Sequence, residues 1–285
     1  MCPMKTTPLL FSRFAVGFLV VFFGSCASAQ DWAKAKLEQS PRHLEWKTLK
    51  HDGREVGCFV GYPEVNHKAT AVVVIHDIWG MSHWARGMVD DLAAAGYIAV
   101  APDLLWGAGP GKGGTSEFAN DAIPLAIRAL PADQITADLA AAVQYAANLP
   151  SCNGKVAVVG FCWGGSESFR FATNNSAIKT AFVFYGDGPT RDADLERIAC
   201  PIIAFYAEND MRINATVPVT TDQMKRLGKS YHTEFYPGSG HGFMKAGQAP
   251  APAPDADTQV QERYIANKAA RNAAWSRLIS SLKSL

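Results

Sequence analysis

The sequence has almost no excess of charge of either sign. Its 285 residues include 27 basic and 26 acidic side chains, which gives a formal net charge of +1 at pH 7. A protein that holds a polyanion such as nucleic acid needs a concentrated positive field. We therefore expect no nucleic-acid partner, and a small neutral or weakly charged ligand instead.

Long apolar runs are also lacking. The run from Phe14 to Phe23 follows two basic residues and precedes the small residues 27–29. It falls short of the ~20 residues that span a bilayer, and its flanks are typical of an export signal. We expect residues 1–29 to be cleaved, leaving an exported protein, periplasmic or secreted, with no stable membrane association. A permanent anchor and lipidation at Cys26 are the alternatives.

Cysteine is scarce, and no pair has the C-x-x-C spacing. Cleavage would leave Cys58, Cys152, Cys162 and Cys200. A thioredoxin-like redox role would lack its resolving thiol. Cys152 and Cys200 precede predicted strands two strand spacings apart, too far for a disulfide without loop bending. No histidine occurs at a metal-ligand spacing, so we expect no metal site. We also expect no cofactor.

Short apolar runs carry the fold. "HLEWKTLKHDGREVGCFVGY" alternates apolar and polar residues around Asp52 and Gly53, which predicts an amino-terminal β-hairpin. Runs apolar on both faces, as buried parallel strands require, lie at 71–76, 97–102, 155–161, 179–186 and 201–208.

Helical segments separate these runs, at 82–95, 117–148 with a break near Pro131, from Trp163, at 215–228 and at about 258–283. We expect Asp133 to cap the helix that follows Pro131. Alternating strands and helices predict one α/β domain over residues 30–285, with a mostly parallel central sheet and helices on both faces.

The stretch "GFCWGG" is typical of a turn that lifts a nucleophile above such a sheet. Gly160, Cys162 and Gly164 fit the G-x-C-x-G form, in which the glycines allow a sharp backbone turn. A cysteine at the helix N-terminus that follows is favoured as thiolate. The alternative is a small buried core thiol.

Partners for such a nucleophile follow in the order acid, then base, each after a later strand. Asp210 follows the run 201–208, and His241 lies between glycines in "GSGHGF". Asp187 in "YGDG" is a rival for the acid, or a turn residue. We therefore predict a Cys162, Asp210 and His241 triad.

Two backbone N–H groups are expected to form an oxyanion hole, those of Trp163 and Ile78. The glycine-rich stretch 107–114 departs from the P-loop pattern. That pattern requires a glycine where this chain has Trp106, and a serine or threonine where it has Gly113. We interpret the stretch as a flexible rim or lid.

These motifs together resemble the dienelactone hydrolase, or carboxymethylenebutenolidase-like, family of α/β hydrolases. "AVVVIHDIWGM", "VDDLAAAGYIAVAPDLLWG", "NGKVAVVGFCWGG", "AENDMRI" and "GSGHGFM" follow the family's order and spacing over nearly all of residues 30–285. The resemblance implies the α/β-hydrolase fold and the same three triad residues.

Two positions depart from the best-known dienelactone-cleaving members. The resemblance implies a glutamate that contacts the resting nucleophile where this chain has Asp77, and an arginine that holds the substrate carboxylate where it has Lys245. Lysine attracts a carboxylate without the planar two-point grip of arginine. The family's second arginine has no clear counterpart, and Lys112 and Arg128 are the candidates.

The predicted function is a hydrolase that cleaves a small activated ester or lactone through an acyl-thioester on Cys162. Because Asp77 and Lys245 depart from the family pattern, the alternative is a general carboxylesterase with the same fold. A non-catalytic exported binding protein is a further one. We expect the small-molecule substrate to be the only partner. We expect the protein to be a monomer.

Overall fold

The structure, a computed structural model, describes residues 26–246 and 249–285. Most of the predicted export signal, residues 1–25, lies outside these described residues. The backbone of residues 26–29 belongs to a first helix, α1, which spans Cys26–Glu38.

One mixed sheet organises the described chain. Its eight strands lie in the spatial order β1-β2-β4-β3-β5-β6-β7-β8. Their bounds are β1 Leu44–His51, β2 Arg54–Gly61, β3 Ala69–Ile75, β4 Ile98–Pro102, β5 Cys152–Phe161, β6 Ala181–Phe184, β7 Ile202–Ala207 and β8 Tyr231–Tyr236. Strands β3 to β8 pair in parallel, whereas β2 is antiparallel to both β1 and β4.

The amino-terminal hairpin is confirmed. Strands β1 and β2 pair along their full length, from Leu44 opposite Gly61 to His51 opposite Arg54. The two residues between them, Asp52 and Gly53, both have positive φ, 47° and 75°. Positive φ at both central residues is the geometry of the tight turn that matches the twist of hairpin strands.

Helices cover both faces of the sheet. Besides α1, the described chain contains α2 His83–Ala94, α3 Ile123–Arg128, α4 Ala132–Asn148, α5 Trp163–Ala172, α6 Asp192–Leu195, α7 Met211–Asn214, α8 Val217–Arg226 and α9 Thr258–Lys283. Buried residues of α4, α5 and α8 pack in the core on one face, and those of α2 and α9 in the core on the other. No helix in the described ranges is long and apolar enough to cross a membrane.

Strand β5 shows why its sequence is apolar on both faces. Val156 and Val158 point into one core, and Ala157, Val159 and Phe161 point into the other. A strand covered by helices on both sides has no face turned to water. The five double-faced apolar runs are accordingly strands β3 to β7, as predicted.

Two details of the helical prediction were wrong. The segment that precedes Pro131 holds a 3₁₀ turn and the short α3 instead of one continuous helix. Asp133 is not the cap of α4, because the helix already begins at Ala132 and the capping position is Pro131. Proline fixes the extended backbone that a helix entry needs, and the Asp133 carboxylate instead accepts the N–H of Gln134 (3.0 Å).

Parallel pairing brings the carboxyl ends of β3, β5, β6, β7 and β8 to one edge of the sheet. In open α/β sheets this edge is where ligands bind. The segments that follow these strands contain every residue of the predicted triad and the predicted oxyanion loop.

Candidate active site

Cys162 lies on the sharp turn between β5 and α5. Its backbone has φ 57° and ψ −118°, a conformation that costs a non-glycine residue free energy. The turn is held because the Cys162 N–H donates to the carbonyl of Phe184 (3.0 Å), which continues the pairing of β5 with β6.

The glycines of "GFCWGG" are required by close backbone contacts. A Cβ atom on Gly160 would lie 1.7 Å from the carbonyl oxygen of Gly164, and one on Gly164 would lie 2.2 Å from the carbonyl oxygen of His76. One on Gly165 would lie 2.5 Å from the carbonyl oxygen of Phe184. The motif therefore packs the start of α5 directly onto the ends of the neighbouring strands.

The structure brings Cys162, His241 and Asp210 together. His241 Nε2 lies 3.0 Å from Cys162 Sγ, and His241 Nδ1 lies 2.5 Å from Asp210 Oδ2. Asp210 is 6% exposed and follows β7, while the His241 side chain is 33% exposed. A buried carboxylate thus orients a solvent-accessible imidazole towards a partly exposed thiol.

The imidazole of His241 is poised to hold a proton. Burial lowers its pKa, but the hydrogen bonds to Cys162 and Asp210 outweigh burial, and the pKa lies above the ordinary value. Transfer of the thiol proton to His241 would place a cation between the thiolate and the carboxylate, so both neighbours stabilise the charged imidazole.

The rival acid, Asp187, has a different role. Its carboxylate accepts a hydrogen bond from the hydroxyl of Ser166 on α5, and its own N–H donates to that hydroxyl (3.1 Å). The structure therefore pairs His241 with Asp210, and Asp187 with the first turns of α5.

The two predicted oxyanion donors are free for a ligand. Within the described residues, neither the Trp163 N–H nor the Ile78 N–H makes a hydrogen bond. The buried His76 supports this region, since it accepts the N–H of Leu104 at Nε2 (3.3 Å) and so donates from Nδ1 to the carbonyl of Asp77 (2.8 Å). Its ring also stacks on Trp163, with centroids 5.7 Å apart.

Asp77 and Lys245 contact each other. Lys245 Nζ lies 2.5 Å from Asp77 Oδ2, and the N–H of Trp79 donates to Asp77 Oδ1 (2.9 Å). The ammonium group also lies 5.2 Å from the centroid of a Trp84 ring. Asp77 makes no hydrogen bond to Cys162 among the described contacts, so the resting carboxylate is engaged by Lys245 and the backbone.

Lys112 and Arg128, the candidates for a second cation, are exposed at the surface. The glycine-rich stretch 107–114 wraps around a carboxylate of the chain itself, because the N–H groups of Gly111 (2.8 Å) and Gly113 (3.1 Å) donate to Glu117 Oε2. This internal anion occupies the N–H groups that a phosphate would need.

Tyr185 was not found from the sequence. It follows β6 with φ 41°, is fully buried, and its ring meets that of His241 edge to face at 5.0 Å between centroids. Its hydroxyl has no hydrogen-bond partner among the described residues. Only the position after a strand in "FYGDG" could have drawn attention to it, because its packing against His241 joins distant segments.

The other thiols lack this setting. Cys58, Cys152 and Cys200 are buried and Cys162 is partly exposed, and each of the four is a free thiol in the structure. Burial raises the pKa of the Cys58 thiol strongly and that of Cys200 to about 11. Neither reacts readily as a thiolate. Within the described ranges, no group of three or more His, Cys, Asp or Glu residues is placed to hold a metal ion.

Comparison with known proteins identifies the family. The model of the "Dienelactone hydrolase family" matches residues 56–285. The chain belongs to the dienelactone hydrolase family. It is 28% identical over 198 residues to carboxymethylenebutenolidase 1 of Cupriavidus pinatubonensis, a match that covers 68% of this chain and 83% of that protein. Family membership makes the chain a hydrolase of the dienelactone hydrolase type.

Solved structures confirm the α/β-hydrolase fold. A dienelactone hydrolase-like promiscuous phosphotriesterase from metagenomic libraries superposes with a TM-score of 0.65 at 19% identity, covering 85% of this chain and 98% of that one. A fungal esterase of Rhizomucor miehei gives a TM-score of 0.57 at 17% identity, covering 90% of this chain and 91% of that one. At these identities the likeness concerns the fold.

Proposed function

We propose that this dienelactone hydrolase family member cleaves a small activated ester or lactone through a covalent thioester on Cys162. The observation that carries the proposal is the contact of His241 with Cys162 Sγ (3.0 Å) on one side and Asp210 (2.5 Å) on the other. A nucleophile, a base within hydrogen-bond reach and a third group that orients the base are the signature of nucleophilic catalysis.

In the acylation step, His241 accepts the thiol proton and the Cys162 thiolate attacks the carbonyl carbon of the substrate. The carbonyl oxygen becomes an oxyanion, to which the N–H groups of Trp163 and Ile78 donate. The bond between the carbonyl carbon and the ester oxygen then breaks, and His241 returns its proton to the departing oxygen. The product is a thioester, with the leaving oxygen still attached to the acyl chain if the substrate is a lactone.

In the deacylation step, His241 accepts a proton from water, and the hydroxide attacks the thioester carbonyl. The same two N–H groups stabilise the second oxyanion. The bond between carbon and sulfur breaks, the carboxylic acid leaves, and the proton on His241 restores the Cys162 thiol. Asp210 keeps the imidazole in one tautomer and stabilises its cationic form in both steps.

The substrate class rests on two further arguments. A thiolate suits a carbonyl with a good leaving group, such as an enol lactone, and the family relative from Cupriavidus pinatubonensis is named a carboxymethylenebutenolidase. However, the cation that would attract a substrate carboxylate, Lys245, already pairs with Asp77 in the resting site. This pairing favours the second candidate, a general carboxylesterase for neutral small esters.

Turnover of two substrates tests these proposals. The protein from Gln30 onward would be assayed on a dienelactone and on p-nitrophenyl acetate, beside Cys162→Ala and Cys200→Ala, a control that removes a buried thiol away from the site. We expect Cys162→Ala to abolish hydrolysis and Cys200→Ala to retain it. Mass spectrometry of quenched reactions is expected to detect an acyl adduct on the peptide that contains Cys162.

The pattern of turnover separates the candidates. Dienelactone cleavage supports the lactonase, and cleavage of p-nitrophenyl acetate alone supports the general esterase. Hydrolysis that persists in Cys162→Ala would refute the thioester mechanism. Absence of turnover on both substrates would favour the binding-protein alternative.

We also propose that the chain is exported after cleavage before Gln30 and acts as a monomer. The basic, apolar and small-residue segments of positions 1–29 support export. Expression of the full chain, followed by cell fractionation, intact mass and light scattering, tests both points. A cytoplasmic product that retains residues 1–29, or a dimer, would contradict them.

A further inference from the structure

A cavity opens at the same end of the sheet as Cys162, beside the amino-terminal hairpin. It has a volume of about 330 Å³. Its lining residues come from β1, the loop before α2, α2 itself and the segment after β4, and they are Trp46, Met81, Arg86, Asp103, Trp106 and Ser116. This combination of two indole rings and one guanidinium, in a cavity of ligand size, is typical of a small-molecule site.

Arg86 has no direct ion-pair partner in the described part of the chain, and Asp103 acts on it through its charge, without a hydrogen bond between the two side chains. Its Nε atom is buried without a hydrogen-bond partner, and the side chain forms no ion pair among the described residues. Burial lowers the pKa of its guanidinium, and the charge of Asp103 offsets part of this effect. The group lies over the ring of Phe59, 5.7 Å from its centroid. A guanidinium in the first turn of a helix also opposes the helix dipole, so its position is not explained by the stability of α2.

The one carboxylate that lines the cavity is already engaged. Asp103 Oδ1 accepts the Thr115 hydroxyl (2.7 Å) and the N–H of Leu105 (3.1 Å), and Oδ2 accepts the N–H of Thr115 (2.7 Å). Its hydrogen bonds hold the loop and leave Arg86 unpaired. The Arg86 guanidinium therefore makes no hydrogen bond to the one carboxylate that lines the cavity.

The two tryptophans supply a flat apolar wall. The rings of Trp46 and Trp106 lie 6.0 Å apart at an interplanar angle of 31°. Trp106 packs on Gly57, where a Cβ atom would come within 2.3 Å of its ring, so this indole is fixed in place. Trp46 is 43% exposed, which is unusual for so large an apolar side chain and leaves its surface open to a ligand.

This cavity lies away from the Cys162 site. On α2, Trp84 faces the ammonium group of Lys245. Arg86, two residues further on, points about 200° around the helix from Trp84. Neither Cys162 nor His241 lines the cavity.

We propose that this cavity is a binding site for a planar aromatic carboxylate, with the carboxylate on Arg86 and the ring against Trp46 and Trp106. The carboxylate gives Arg86 the planar, two-point partner that guanidinium favours. The ring covers the exposed face of Trp46, as aromatic pairs prefer offset or edge contacts. The site is independent of the hydrolase mechanism, since neither the ligand nor its contacts involve Cys162.

Calorimetric titration of the protein from Gln30 onward with 1-naphthoate tests the proposal. The neutral 1-naphthamide, which has the same ring without the charge, is the matched ligand control. We expect saturable binding of 1-naphthoate and binding of the amide weaker by about tenfold or more, because the charge-assisted hydrogen bonds are lost. We expect a similar loss for 1-naphthoate with Arg86→Met, and a smaller loss with Arg86→Lys.

Trp46→Ala keeps the charge and removes the exposed indole, so it is expected to weaken 1-naphthoate and 1-naphthamide alike. Thermal unfolding of each variant checks that the fold is retained, and Arg86→Lys and Trp46→Ala carry the test if Arg86→Met does not fold. Equal affinity for 1-naphthoate in the wild type and in the Arg86 variants overturns the proposal. Equal binding of the acid and the amide, or no saturable binding of 1-naphthoate, overturns it as well. These readouts are binding constants and do not depend on esterase turnover.

Discussion

The ion pair between Lys245 and Asp77 predicts an unequal effect when either partner is removed. Asp77 is 3% exposed, so its carboxylate has little access to water that could replace Lys245. The Lys245 side chain is 40% exposed, and its ammonium can turn to water. We therefore expect Lys245→Met to lower the free energy of unfolding more than Asp77→Asn does.

The magnitude follows from the burial of each partner. Removing one partner of a fully buried pair costs ~3–5 kcal/mol, whereas exposed pairs contribute ~0–1 kcal/mol. The half-exposed lysine places this pair between these limits, so Lys245→Met is expected to lose ~2 kcal/mol. Asp77→Asn keeps an acceptor for the N–H of Trp79 and leaves a cation that water can solvate, so it is expected to lose ~1 kcal/mol.

Urea unfolding of the wild type, Lys245→Met, Asp77→Asn and the double variant measures the coupling. The double variant buries no unpaired charge, so its loss is expected to be ~1 kcal/mol, well below the sum of the two single losses. Lys68→Met, at an exposed lysine without an ion pair among the described residues, is the matched control, expected within ~0.5 kcal/mol of the wild type.

Two results would refute this reasoning. Additive losses in the double variant would mean that the two side chains are not coupled. A loss on Asp77→Asn larger than that on Lys245→Met would mean that the buried carboxylate has another source of stabilisation.

Four further predictions concern the region around Cys162. Because the hydrogen bond to Cys162 is the largest cause that raises the His241 pKa, Cys162→Ala is expected to lower that pKa in an NMR titration; an unchanged value would contradict the contact. A raised His241 pKa stabilises the folded state, and this stabilisation is complete at pH values below the ordinary histidine pKa. It is lost as the pH rises from the ordinary histidine pKa through the His241 pKa of the folded state. Over this pH range the wild type should therefore lose more stability than Cys162→Ala. Tyr185→Phe is expected to keep or raise the free energy of unfolding, because the buried hydroxyl has no partner among the described residues and its removal relieves a desolvation cost, whereas Tyr185→Ala should lose ~3–5 kcal/mol; a loss with Phe would reveal a hydrogen bond. Gly164→Ala is expected to prevent folding or abolish activity, since its Cβ would lie 2.2 Å from a backbone oxygen, while Gly87→Ala in α2, with nothing within 4 Å, should gain ~0.5–1 kcal/mol in urea unfolding.

The parts of the fold that the sequence predicts well are those governed by local patterns. The run "AVVVI" is apolar on both faces because β3 lies between helical layers, and this requirement is visible in five residues. The hairpin turn at Asp52 and Gly53 is equally local, since only a few residue types accept positive φ at both positions. The start of α4 is less local, because proline and aspartate compete for the cap and Pro131 takes it.

The predicted triad follows from topology as well as from motif. Parallel strands place their carboxyl ends at one edge, so residues that follow β5, β7 and β8 meet although they are far apart in sequence. No pattern predicts which side chains meet across the loops at this edge. The pairing of Lys245 with Asp77, the turn of residues 107–114 around Glu117, and the unpaired Arg86 all depend on the final packing.

The backbone around Cys162 shows how the sheet holds the site. Cys162 and Tyr185, on neighbouring strands, both have positive φ without being glycine. Their N–H groups donate to the carbonyls of Phe184 (3.0 Å) and Phe205 (2.8 Å), each on the next strand, so the parallel hydrogen bonding of the sheet extends through both unfavourable conformations. The free energy that these conformations cost is therefore offset by sheet pairing. Since the Tyr185 ring packs against His241, the same pairing fixes the thiol and the wall behind the imidazole, and the geometry between them is set before any substrate arrives.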